Sequence, residues 1–131
     1  MASYLYRKGR DNSSGLAPRA GKDVPDGQNR QSSGQLIPGL SFFDSLDAQN
    51  LLKGDYYLWI DPALLEFPLV ALADDLTVSG YVAGHWTVTV VDEIGNINWS
   101  ALDEWAACRG NVLHHELTDK MRRAVVNRAR Y

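Results

Sequence analysis

Three polar side chains in otherwise apolar runs could do chemistry: Arg7, Ser41 and His85. Arg7 closes the β-forming run "YLYR", and its guanidinium is planar, permanently charged and able to fork onto two acceptors. Ser41 lies inside "GLSFF", where a hydroxyl needs a hydrogen-bond partner and can donate or accept one. His85 heads "HWTVTVV", and an imidazole can hydrogen-bond a ligand or carry a proton. Each also has a plain structural reading: an exposed strand-edge arginine, a satisfied hydroxyl, a histidine at a strand start. Taken singly, none of the three decides between the two.

The elements that must position them follow from periodicity. Residues 83–91 alternate as a strand does, so Trp86, Val88 and Val90 form a core stripe. His85, Thr87 and Thr89 share the opposite face and look out of the core, into a cleft. "YLYR" (4–7) reads as a first strand, and "GLSFF" (39–43), entered through the Pro38-Gly39 turn, as a second. "DSLDAQNLLKG" predicts a short helix capped by Asp44 and stopped at Gly54. "YYLWI" (56–60) is a continuously apolar third strand, and "DPALLEF" a helical turn with Asp61 capping and Pro62 first. A brief strand is expected at 69–73, and the strand at 85–91 closes at the Gly95-Asn96 turn.

The final third reads as helical. Trp99, Leu102, Trp105 and Ala106 recur at helical spacing, Ser100 and Asp103 form a capping-box pattern, and Gly110 ends the helix. "HHELTDKMRRAVVNRARY" places Leu117, Met121, Ala124 and Val125 on one stripe of a last helix. Strands early and helices late predict an α+β domain. Residues 8–39 form a long polar loop, with Gly9, Gly15, Gly21, Gly27 and Gly34 as hinges, suited to a substrate lid or a partner contact.

At 131 residues the chain is the length of one domain, 1–131, with 45% hydrophobic and 22% charged residues. No run of about eighteen apolar residues exists to cross a membrane, and the start lacks the apolar stretch of a secretion signal. Cys108 is the single cysteine, so an internal disulfide and a zinc-type cysteine cluster are excluded. A net charge of −3 argues against non-specific nucleic-acid binding, which rests on neutralising phosphates. Five basic residues nevertheless fall between Lys120 and Arg130. They read as a solvated helix face suited to a helix C-terminus, or as a docking surface for an acidic partner. No phosphate-binding glycine loop, HExxH or calcium loop is present. His114 and His115 are adjacent and do not face one another on a helix, so no metal site is expected.

Taken together, "YLYR", then "GLSFFDS" after a polar loop, then "GHWTVTVV" ahead of closing helices resemble the ADP-ribosyltransferase-like toxins. More narrowly, they are similar to small cytotoxic effectors of bacterial type VI secretion and to modules of polymorphic toxins. The resemblance runs from Tyr4 to about Val126. It implies small, split, strongly bent β-sheets around a cleft, with C-terminal helices, and nicotinamide adenine dinucleotide (NAD) as the bound substrate. It also implies site roles. Arg7 contacts the pyrophosphate or ribose, Ser41 braces the nicotinamide side, and His85 hydrogen-bonds a ribose hydroxyl or carries a proton. An immunity protein or antitoxin covering the cleft, an acceptor in the target cell, and a bacterial cytoplasmic chain delivered into a target cell's cytoplasm are implied in the same way.

Two positions depart from that pattern. The glutamate that stabilises the oxocarbenium-like transition state in the family has no counterpart at His85, and Glu93 lies past the strand. Leu40 stands where relatives carry a second hydroxyl. The domain then either binds the dinucleotide without transferring ADP-ribose or acts by another route. Two other classes remain open. One is a ribonuclease toxin with His85 as general base and Arg7 or a C-terminal arginine on phosphate, against which the pI of about 5.5 counts. The other is a non-enzymatic interaction module docking a helix at 116–130.

Overall fold

Short runs of β-branched and aromatic residues pair edge to edge into one antiparallel sheet. The computed structural model describes residues 4–9, 15–25, 37–48, 51–74, 84–107 and 110–131. In chain order the elements are β1 (Leu5–Lys8), β2 (Leu40–Phe43), β3 (Tyr56–Ile60), β4 (Leu69–Ala73), β5 (His85–Val90), α1 (Trp99–Ala107), α2 (Val112–Ala124) and β6 (Val125–Arg130). The sheet order is β4-β5-β2-β1-β3-β6, an α+β architecture.

The middle of the sheet is its thinnest seam. β4 and β5 align from Leu69 opposite Val90 to Ala73 opposite Trp86, and β1 and β3 from Leu5 opposite Ile60 to Lys8 opposite Tyr57. β1 and β2, by contrast, meet at Tyr6 opposite Phe43. Beyond that pair the Arg7 side chain spans the junction. Its Nη1 donates to the Ser41 carbonyl at 3.0 Å, and its Nε donates to the Gly15 carbonyl at 3.0 Å.

Strand alternation sends Leu5, Leu40, Phe42, Leu58, Ile60, Val88 and Val90 to one face, where they pack with Leu102 and Trp105 of α1 and Leu117 and Met121 of α2. These side chains are 0–1% exposed, and burying each contributes roughly 1.5–3 kcal/mol before the entropy of ordering the chain is counted. Residues 15–25 of the long polar segment are docked: Leu16, Ala17 and Val24 are buried in the same core. The segment's other expected hinges, Gly27 and Gly34, lie outside the described residues.

Three expected elements change. Among the described residues of 44–54 the expected helix is replaced by a 3₁₀ turn at Leu46–Ala48, and Asp44, the expected cap, accepts instead from the Trp86 indole at 3.2 Å. α1 is capped by Asn98, whose Oδ1 accepts from Ala101 N at 3.1 Å, so Ser100 lies inside the helix. The last helix stops at Ala124, and the following residues become β6, paired with β3 from Ile60 opposite Val125 to Tyr56 opposite Arg130. The β-branched pair Val125-Val126 fits an extended backbone beside an otherwise unpaired strand edge. The Asp61 turn forms as expected, with its Oδ1 accepting from Ala63 N at 3.0 Å.

Candidate functional site

Ser41 and His85 reach one another because β2 and β5 are paired in a register that sets Ser41 opposite Thr87 and Phe43 opposite His85. All four side chains then share the sheet face turned away from the helices. The Ser41 hydroxyl lies 3.1 Å from His85 Nε2. His85 Nδ1 donates to Asp74 Oδ2, and the same oxygen accepts from Thr87 Oγ1 at 3.2 Å. In the tautomer with the proton on Nδ1, toward the carboxylate, Nε2 is an acceptor for the Ser41 hydroxyl. The result is a hydroxyl, an imidazole and a carboxylate in series.

Asp74 joins the site without a motif in the sequence to mark it. It follows β4 directly, and its backbone N–H donates to the His85 carbonyl at 3.1 Å, which carries the β4–β5 ladder one residue further. The available signal was an acid at the end of one hairpin strand facing a histidine at the start of the next. The imidazole and the carboxylate side chains are each 2% exposed, so each compensates the burial of the other.

Residues Lys22, Asp23, Pro25, Ile37, Pro38 and Gly39 wall a hollow of ≈ 90 Å³ over Ser41, Asp74, His85 and Thr87. That is smaller than the roughly 150 Å³ cavity that accepts benzene. A small group fits, and a whole dinucleotide does not. Gly39, at φ 140°, closes the floor: a Cβ there would collide with the Val88 carbonyl.

Arg7 is brought to the back of this site. Its guanidinium touches the Ser41 carbonyl and lies 5.9 Å from the Phe42 ring, on the core side of the sheet, and it does not line the hollow. Burial pulls its pKa down from the usual arginine value, opposed by the nearby Asp23 carboxylate. The guanidinium stays charged at any working pH.

The polar face of β5 is less open than alternation alone implies. His85, Thr87 and Thr89 are 0–3% exposed, as buried as the apolar stripe behind them. Thr89 Oγ1 has no hydrogen-bond partner among the described residues. Glu93 sits exposed in the turn after β5, away from the hollow, and Leu40 is fully buried in the core. His114 is a buried core histidine whose Nδ1 donates to the Trp105 carbonyl at 2.8 Å, while Trp105 Nε1 donates to Thr118. No grouping of metal-ligating side chains occurs among the described residues. Part of the basic C-terminal stretch is neutralised internally: Glu66 pairs with Arg123 and Lys120, and Asp119 with Arg122. No described helix is long and apolar enough to cross a membrane. No protein-family model, curated protein or solved structure matches the chain.

Proposed function

We propose that the chain is a toxin-type effector domain whose Ser41–His85–Asp74 site cleaves the nicotinamide–ribose bond of NAD. The observation that carries this reading is convergence. Ser41 of β2, His85 of β5 and Asp74 at the end of β4 meet in one hydrogen-bonded series under a shared hollow, with Arg7 behind the sheet on the Ser41 carbonyl. The six strands form one continuous sheet rather than the split pair that the motifs imply, and the single-pair seam between β1 and β2 is where it is thinnest.

The chemistry follows from the groups present. Loss of nicotinamide leaves a cationic ribose, and a buried carboxylate close by favours that charge. Asp74 supplies one from the end of β4, where the family's glutamate has no counterpart on β5. His85 Nε2 takes the proton of an attacking water or acceptor hydroxyl as the new bond to ribose forms. Ser41 hydrogen-bonds the carboxamide of the nicotinamide end, a group small enough for the hollow, with the ring at its mouth. An immunity protein that covers the hollow belongs to the same reading, as does delivery into a target cell.

The test is release of free nicotinamide from NAD by the purified protein. Release that disappears in Ser41→Ala supports the reading, and no release from the wild type sinks it.

A second reading rests on the Asp74–His85–Ser41 series itself. The same order of groups activates serine for acyl transfer: Oγ bonds the acyl carbon, His85 takes the proton and passes it to the leaving group, and water then frees the acid. Covalent labelling of Ser41 by a fluorophosphonate, blocked in His85→Ala, would favour it.

A further inference from the structure

A straight row of rings crosses the sheet and ends at the site. Trp59 of β3 is opposite Tyr6 of β1, Tyr6 is opposite Phe43 of β2, and Phe43 is opposite His85 of β5. The Trp59 and Tyr6 rings lie 6.0 Å apart, and the Phe43 and His85 rings meet edge to face at 5.0 Å. Tyr57 extends the row, stacked on Trp59 at 5.7 Å and 30°.

Alternation puts these rings on the face opposite the helices. Tyr6, Phe43, Tyr57 and Trp59 are half-buried, and none belongs to the hydrophobic core. Cross-strand aromatic pairs stabilise any sheet, but half-buried Tyr6, Phe43, Tyr57 and Trp59 also present ring surface beside the buried site histidine.

We infer that this row is a stacking platform for the adenine end of the dinucleotide, an inference that rests on the function proposed above. Two observations select this occupant. The ≈ 90 Å³ hollow takes only a small group, so most of a dinucleotide must lie outside it. His85 borders both the hollow and the row, so a molecule leaving the hollow past His85 meets Phe43 next. From β5 to β3 is three strand spacings of about 4.8 Å, a reach that an extended dinucleotide covers between its two rings. Flat heteroaromatic bases stack on Trp and Tyr regardless of hydrogen-bond pattern. The chain's net charge of −3 favours a free nucleotide over an RNA strand.

Calorimetric titration with adenosine 5′-monophosphate tests the platform alone, since that nucleotide carries adenine and no nicotinamide. The wild type binds it saturably, Trp59→Ala binds about ten-fold more weakly, and Trp59→Phe keeps most of the affinity. Tyr57→Ala, at the outer end of the row, also weakens binding and serves as the readout where Trp59→Ala does not fold. Absence of binding to the wild type overturns the inference, as does equal binding by Tyr57→Ala and the wild type. Tighter binding of single-stranded oligoadenylate than of the mononucleotide overturns it in favour of RNA. A protein that binds the mononucleotide through the row and yet releases no nicotinamide from NAD upholds the platform and defeats the catalytic reading.

Discussion

Ser41 Oγ lies 3.1 Å from His85 Nε2, although the two residues are 44 positions apart in the chain. Strand pairing makes the contact: Ser41 is directly opposite Thr87, and His85 is its diagonal neighbour on the same face. Ser41 is half-buried and His85 is 3% exposed, so the two respond differently to truncation. Ser41→Ala removes one hydroxyl and leaves the melting temperature within about 2 °C of the wild type, with activity lost. His85→Ala leaves the Asp74 carboxylate buried without its main partner, at a cost of about 3 kcal/mol. A drop in melting temperature on the order of 10 °C follows for a domain of this size. Equal melting temperatures for the two variants would contradict this assignment.

Asp74→Asn keeps the shape of the site but removes the charge that holds the His85 proton on Nδ1. Turnover falls on the order of a thousand-fold with little change in KM, because substrate contacts Ser41 and His85 directly. A pH–rate profile separates this from a packing defect: the variant's profile shifts, whereas a merely structural residue leaves its midpoint in place.

Arg7→Lys tests the seam between β1 and β2. A lysine ammonium cannot reproduce the fork from Nε and Nη1 to the Gly15 and Ser41 carbonyls. The expected loss is about 1–2 kcal/mol of unfolding free energy in urea. No loss would mean that the Tyr6–Phe43 pair holds the junction alone.

Gly39→Ala drives a Cβ into the Val88 carbonyl at a φ of 140°. The backbone strain alone costs about 1–3 kcal/mol. Because Gly39 lines the hollow, binding of any ligand there weakens as well, which titration of the refolded variant reads directly.

Acid stability has a defined sign. Hydrogen bonding and charge from Arg123, aided by Lys120, hold the Glu66 carboxyl below its usual 4.5. Asp55 is lowered likewise, by the Leu52 backbone N–H and by Lys8. Both are ionised more readily folded than unfolded, so their contribution is present above the ordinary carboxylate range. It is lost as pH falls through the depressed folded values. Glu66 is exposed and Asp55 only half-buried, so the effect is small and salt-sensitive. Glu66→Gln flattens the acid limb of the melting-temperature profile, and an unchanged limb would show that the ion pair contributes nothing.

Much of this arrangement is legible in the residues. Alternation in "HWTVTVV" places His85, Thr87 and Thr89 together, and "GLSFF" and "YYLWI" announce strands by composition. The Asp61-Pro62 turn is written locally, since the cap and its acceptor are two residues apart. β6 is not legible, because the apolar spacing of Leu117, Met121 and Ala124 runs on into Val125, and only the free edge of β3 draws the backbone out of the helix. Asp74 escapes for the same reason. Its partner lies across a hairpin, and nothing next to it in the chain reports that an acid there will be buried. The burial of the polar face of β5 also comes from afar, with residues of the 15–25 and 37–39 segments walling the hollow above it.

The most direct measurement is a crystal structure of the protein soaked with NAD. The nicotinamide end should sit within hydrogen-bond reach of Ser41 Oγ and His85 Nε2, with the adenine over Tyr6 and Trp59. A dinucleotide bound elsewhere, or one that leaves Ser41 and His85 untouched at saturating concentration, would contradict the account.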